Sequence, residues 1–125
     1  MKRIVVIDDD KNFTDTLRDL LKEKIKEDIE IYVFSNVKDA VIFLSGELVD
    51  LIILDVHFEG THGFDFLDML KKNPRLSAIP VIMVSARYTE PLDRIKAVNM
   101  GAVAYFSKPL DIDKLAKEIM NYVKK

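Results

Sequence analysis

Five residues whose side chains suit acyl-phosphate chemistry stand at the ends of apolar runs: Asp8, Asp9, Asp55, Ser85 and Lys108. Asp8 and Asp9 follow Ile4 to Ile7, Asp55 follows Leu51 to Leu54, Ser85 follows Val81 to Val84, and Lys108 lies just past Ala102 to Phe106. A carboxylate is costly beside buried apolar backbone unless something charged compensates it. Three Asp gathered on one rim repel one another when ionised, so the expected outcomes are a raised pKa or a bound cation. Hard oxygen ligands of this kind suit Mg²⁺, which keeps several waters and often shares a phosphoryl oxygen. A lysine and a short hydroxyl beside them match phosphoryl transfer, in which charge develops on the transferred oxygens. An Asp nucleophile would divide that transfer into two steps through an aspartyl phosphate.

Taken singly, each residue has an ordinary explanation. An Asp after a strand is commonly a helix cap or turn former. Lys108 before Pro109 reads as a solvated loop residue, and Ser85 at a strand end says little by itself. The reading rests on their convergence, which the elements around them must supply.

Apolar runs of four or five residues alternate with helical patterns of ten to fifteen. After Ile4–Ile7, the residues Phe13, Leu17, Leu20, Leu21 and Ile25 make one helix stripe. Asn12 is the expected cap, with Asp15 near the positive end of the dipole. Ile29 to Phe34 is the second strand, and Val37, Ala40, Val41 and Leu44 form a helical face that Gly46 ends. Leu51–Leu54 precedes a loop with Gly60 and Gly63, then a helix on Phe64, Leu67 and Leu70 that Asn73-Pro74 stops. Pro80 opens the strand Val81–Val84. Thr89 is placed to cap a fourth helix carrying Ile95 and Val98, with Pro91 in its first turn and Gly101 at its end. Ala102–Phe106 is the fifth strand, and Ile112, Leu115, Ala116, Ile119 and Val123 face inward on the last helix.

This pattern predicts an α/β fold, a doubly wound (βα)5 three-layer sandwich. Strands 1, 3 and 4 are apolar throughout, which suits a parallel sheet covered on both faces. Right-handed crossovers with short connections favour the flavodoxin-like strand order 2-1-3-4-5. That order sets strands 1 and 3 side by side at the switch point, so the sheet itself would gather Asp8, Asp9 and Asp55.

Composition narrows the function classes. A chain of 125 residues is most simply one domain, residues 1–125. Without Cys there is neither a disulfide scaffold nor a thiol nucleophile, and a cytoplasmic location is expected. The charge of −2, with acids and bases interleaved, points to no direct nucleic-acid surface. The first apolar run is too short for a signal peptide or membrane span, so no membrane insertion is expected.

The motifs Ile7-Asp8-Asp9, Ile52-Ile53-Leu54-Asp55, Val84-Ser85-Ala86 and Tyr105-Phe106-Ser107-Lys108-Pro109 carry a resemblance. The chain resembles the receiver domain of two-component response regulators from Met1 through the last helix. The resemblance implies that Asp55 is the phospho-acceptor. It implies that Asp9, Asp55 and the backbone carbonyl of His57 ligate Mg²⁺ directly, with Asp8 acting mainly through water. Lys108 and Ser85 would bind the phosphoryl oxygens, and Ser85 and Tyr105 would move together as the switch. A phosphohistidine on a sensor histidine kinase or phosphotransfer protein would be the donor. The switched surface, around helix 4, strand 5 and helix 5, would meet an unknown output protein or domain. The protein would assist its own phosphorylation and dephosphorylation without being a stand-alone enzyme.

The chain also departs from the family pattern. Glu59 stands where a Pro is usual and His62 where an Asp is usual. His57, Glu59 and Arg87 are candidates for tuning phosphorylation and hydrolysis rates. At the output face, Val103, Ala104, Lys114 and Glu118 do not match receivers that dimerise to drive DNA binding. Three other readings compete. Asp8-x-Asp10 mimics the signature of haloacid dehalogenase-type phosphatases, but Lys11 follows where a Thr or Val is usual. A flavin carrier of this topology would need a hydroxyl- and Gly-rich loop after strand 1. A binding module that is never phosphorylated would not need the complete acidic set.

Overall fold

A computed structural model of the chain describes residues 1–58, 61–85 and 91–124. Strands and helices alternate as β1 (Lys2–Ile7), α1 (Lys11–Lys24), β2 (Ile29–Phe34), α2 (Val37–Gly46), β3 (Leu51–Asp55), α3 (Gly63–Lys72), β4 (Val81–Ser85), α4 (Pro91–Asn99), β5 (Ala104–Ser107) and α5 (Ile112–Val123). A hairpin of two-residue strands, His57–Phe58 and Thr61–His62, stands between β3 and α3. The five longer strands form one parallel sheet in the order 2-1-3-4-5. This is the flavodoxin-like arrangement that the apolar pattern predicts.

Alternation along the strands builds two cores, one on each face. Ile4, Val6, Leu51, Ile53, Ile82 and Val84 pack against Leu17 and Leu21 of α1 and Leu115, Ile119 and Val123 of α5. Val5, Ile7, Ile52, Leu54, Val81 and Met83 pack against Ala40 and Leu44 of α2, Phe64, Leu67 and Leu70 of α3, and Ala97 of α4. Each fully buried aliphatic side chain contributes roughly 1.5–3 kcal/mol. Because β1, β3 and β4 are covered on both sides, their carboxyl ends are held rigidly.

Several local expectations need correction. The cap of α1 is Asp10, whose carboxylate accepts a 3.1 Å bond from the Phe13 amide. Asn12 lies inside the helix, and no acid stands in its first turn. β5 begins at Ala104 rather than Ala102. The Val103 amide donates to the Val81 carbonyl, and Ala102 is taken up by the end of α4, where Gly101 adopts φ +103°. There the amide of Ala102 donates to the Ala97 carbonyl and that of Gly101 to the Val98 carbonyl, the paired bonds of a Schellman cap. Ile112 is half-buried, whereas Leu115, Ala116, Ile119 and Val123 face inward as expected.

α4 differs most. Ile95 and Val98, the apolar residues that mark it in the sequence, are exposed together with Leu92, and Ala97 is buried instead. At about 100° per residue, turning Ala97 inward carries positions 92, 95 and 98 at least about 100° away from the sheet. The expected cap Thr89 and the rate-tuning candidates Glu59 and Arg87 lie outside the described residues.

Candidate functional site

The strand register sets the rim. Ile7 pairs with Leu54, Asp55 with Val84, and Ser85 with Ser107, so Asp8, Asp55, Ser85 and Lys108 leave neighbouring strands at one end of the sheet. Backbone bonds fix them there. The Asp8 amide donates to the Phe34 carbonyl, the Val56 amide to the Val84 carbonyl, and the Lys108 amide to the Ser85 carbonyl. Gly63 lets α3 start against this end: a Cβ there would lie 2.2 Å from the Asp55 carbonyl oxygen and 2.8 Å from the Val56 Cα.

Asp8 and Asp55 are buried to 3% and 4% exposure and Ser85 to 1%, while Asp9 is exposed at the mouth. One carboxylate oxygen from each of Asp8, Asp9 and Asp55 lies within 4.8 Å of the others. Among the described residues this is the acidic group close enough to hold a metal ion. Asp8 is well compensated. Its Oδ1 accepts from the Asp10 amide at 2.9 Å, and its Oδ2 from the Lys108 ammonium at 2.6 Å.

Asp55 is compensated far less. Its Oδ1 is buried and has no hydrogen-bond partner. Burial first, then repulsion from Asp8, pushes its pKa from 3.8 up to about 7, against the attraction of Lys108 and a bond from the His57 amide; Asp9 raises it further. A rigid pocket of three carboxylates with one orphaned oxygen fits a hard divalent cation, which would supply the charge that Lys108 spends on Asp8.

Lys108 is held by a second partner that the sequence reading missed. Its Nζ lies 3.9 Å from the centroid of the Phe13 ring, a cation–π contact. Phe13 reads as one more member of the apolar stripe, and only the fold shows it beside the lysine. His57 and His62 face each other with ring centroids 4.9 Å apart. His62 serves as the α3 cap, its Nδ1 accepting from the Phe64 amide at 3.2 Å. That explains how His occupies a position where Asp is usual, since both offer an acceptor to the helix start.

Tyr105 is 5% exposed and belongs to the core beneath α4. Its hydroxyl has no bond of good geometry, although Ser85 stands near enough to ease its ionisation against burial. Asp10, the second acid of the dehalogenase-type signature, is committed to capping α1.

The fold and its rim define a doubly wound α/β domain with a buried acidic pocket at the topological switch point. The family model described as the response regulator receiver domain matches residues 4–120, and the chain belongs to that family. Over 119 residues it is 34% identical to the transcriptional regulatory protein CpxR of Klebsiella pneumoniae, covering 95% of this chain and 48% of that protein. It is 31% identical to an uncharacterised 14.6 kDa protein of Leptolyngbya boryana, covering 95% and 88%. The crystal structure of the signal receiver domain of a DNA-binding response regulator from Colwellia psychrerythraea superposes with a TM-score of 0.91 at 30% identity, all of both chains being covered. The chain spans about half the length of most of the curated relatives it matches. No helix among the described residues is long and apolar enough to cross a membrane.

Proposed function

We propose that residues 1–125 form a receiver domain in which Asp55 accepts a phosphoryl group from a phosphohistidine on a sensor histidine kinase or phosphotransfer protein. The observation that carries this is the buried Asp55 carboxylate, with an orphaned oxygen, beside Asp8 and Asp9 at the carboxyl ends of β1 and β3. Asp9, Asp55 and the His57 backbone carbonyl would hold Mg²⁺ directly and Asp8 through water, as the family pattern has it. Bound there, Mg²⁺ offsets charge on the carboxylates and on phosphoryl oxygens.

The chain's own groups do the rest. An Asp55 oxygen forms the new O–P bond while the N–P bond to the donor imidazole breaks, and that imidazole departs with the bonding pair. Lys108, already on the rim, turns from Asp8 toward the phosphoryl oxygens, and the Ser85 hydroxyl donates to another of them. Ser85 and Tyr105 then bias the α4–β5–α5 surface toward its output protein or domain. The chemistry is a self-assisted transfer rather than stand-alone catalysis, and its setting is the cytoplasm. His57, Glu59 and Arg87 remain the candidates for setting its rates.

Asp55→Asn tests the assignment directly. With Mg²⁺ and labelled acetyl phosphate the parent protein takes up hydroxylamine-sensitive phosphate, and the variant takes up none. Equal labelling of the variant would overturn the assignment.

A further inference from the structure

We propose that Arg94 is a positioning residue for the switch: from the edge of α4 it holds the Tyr105 ring and backbone in the inward arrangement before any phosphoryl group arrives. The proposal rests on the reading of Asp55 and Tyr105 given above, but its first measurement needs no phosphoryl group.

α4 is fastened unlike its neighbours. Where α1, α3 and α5 each bury several large apolar side chains, the side chain that α4 buries, among those described, is Ala97. Arg94 sits about 60° around the helix from Ala97, at the margin of the buried face. Its Nη1 donates to the Tyr105 carbonyl at 2.9 Å. Its guanidinium carbon lies 5.2 Å from the centroid of the Tyr105 ring. One side chain thus grips the backbone and the ring of the same residue. Lys96 makes the second such contact, its Nζ 4.6 Å from the Phe64 ring centroid on α3.

Arginine suits this double grip. A planar guanidinium donates in its plane while its face lies on an aromatic ring. The backbone acceptor is available because β5 is an edge strand, whose outward carbonyls have no strand partner. Tyr105 belongs to the buried cluster that also holds Met83, its partner across the strands, Ala97 and Ala102, near the buried Ser85 hydroxyl. Turning Tyr105 outward would therefore break the Arg94 contact with the ring as well as expose it, while the bond to the Tyr105 carbonyl keeps the guanidinium in place. Arg94 biases the two-state equilibrium toward the inward state, so an incoming phosphoryl group or its mimic has less of the shift left to make.

The test uses the full chain and four variants: Arg94→Gln, Arg94→Lys, Tyr105→Ala and the double variant Arg94→Gln/Tyr105→Ala. Arg94 is exposed, so the fold should survive, and far-UV circular dichroism checks this. Accessibility of the Tyr105 ring is read by NMR with a soluble paramagnetic probe, Tyr32 and Tyr122 serving as internal references. Beryllofluoride affinity with Mg²⁺ is read by titration.

Arg94→Gln should raise the accessibility of Tyr105 alone and weaken beryllofluoride binding about two- to five-fold, the size expected for one exposed cation–π contact. Arg94→Lys should recover part of both effects. In the Tyr105→Ala background, Arg94→Gln should add nothing. A Tyr105 ring equally shielded in Arg94→Gln, or the same loss of affinity in the Tyr105→Ala background, overturns the proposal. Failure of the parent to bind beryllofluoride would instead refute the acceptor assignment, and the ring measurement would still decide the role of Arg94.

Discussion

The two ends of the sheet both gather charge, and only one of them is built as a site. At the amino end, Arg3 meets Glu30 at 3.6 Å and Glu47 at 2.8 Å, and Lys2 meets Asp50 at 3.9 Å. Those side chains are each about a third to a half exposed, and every charge has an opposite partner in water. At the carboxyl end, two of the three acids are almost fully buried, and one ammonium, shared with the Phe13 ring, serves them. Exposed pairs at the first end are near neutral in free energy. At the second, burial turns the same residue types into an unmet demand for positive charge. What separates a site from a decorated surface here is desolvation without full compensation.

The largest effect expected from this contrast is on divalent binding. Asp9→Asn removes the one exposed carboxylate of the three, leaving the core intact. As Asp9 is proposed to hold the ion directly, Mg²⁺ binding should weaken by at least the roughly 10- to 100-fold typical of losing a group that only supports a ligand. The substitution should also slow phosphoryl uptake from acetyl phosphate. Calorimetric titration of parent and variant reads the first, and retention of parent affinity would show that the rim does not act as a cation site.

Next comes the dependence of stability on pH. With its pKa raised from 3.8 to about 7 in the folded state, Asp55 binds a proton more tightly folded than unfolded. Between roughly pH 4 and 7 the native state therefore holds more protons, and stability falls as pH rises through that window. The displacement is worth about 4 kcal/mol in full, and water at the mouth of the crevice reduces this to on the order of 2. Asp55→Asn should be more stable than the parent by about that amount above pH 7 and equal to it near pH 4. Saturating Mg²⁺ should reverse the parent's slope, because it favours the ionised form. Denaturant melts at both ends of the window measure this. A variant less stable than the parent at high pH would mean that Asp55 is compensated after all.

Much of this is legible in the amino-acid sequence. The runs Ile4–Ile7, Leu51–Leu54 and Val81–Val84 have too few polar interruptions to be anything but buried strands, and their order forces the acids to one rim. Local partner choice was not legible. Asp8, Asp9 and Asp10 are all good capping residues, and only the path of the chain shows that Asp10 caps while Asp8 takes Lys108. Ile95 and Val98 mark α4 in the sequence, but only Ala97 and the bulk of Tyr105 settle its roll. The dual role of Phe13 and the grip of Arg94 depend on contacts between elements far apart in sequence, which periodicity does not encode.

The smallest effect expected is at the amino end. Arg3→Ala removes a guanidinium in contact with two carboxylates, a change that looks severe on a list of contacts. Yet Glu30 and Glu47 stay hydrated when it leaves, and the Arg3 amide still donates to Asp50 at 2.9 Å. The unfolding midpoint should move no further than for an ordinary surface substitution, and raising the salt concentration should shrink even that difference. Phosphoryl uptake, decided at the other end of β1, should be unchanged. A large loss of stability in low salt would show that the exposed network carries the amino end of the sheet. Partnering alone would then mark a site no better than exposure does, and the distinction between the two ends would have to be drawn from Asp55's orphaned oxygen.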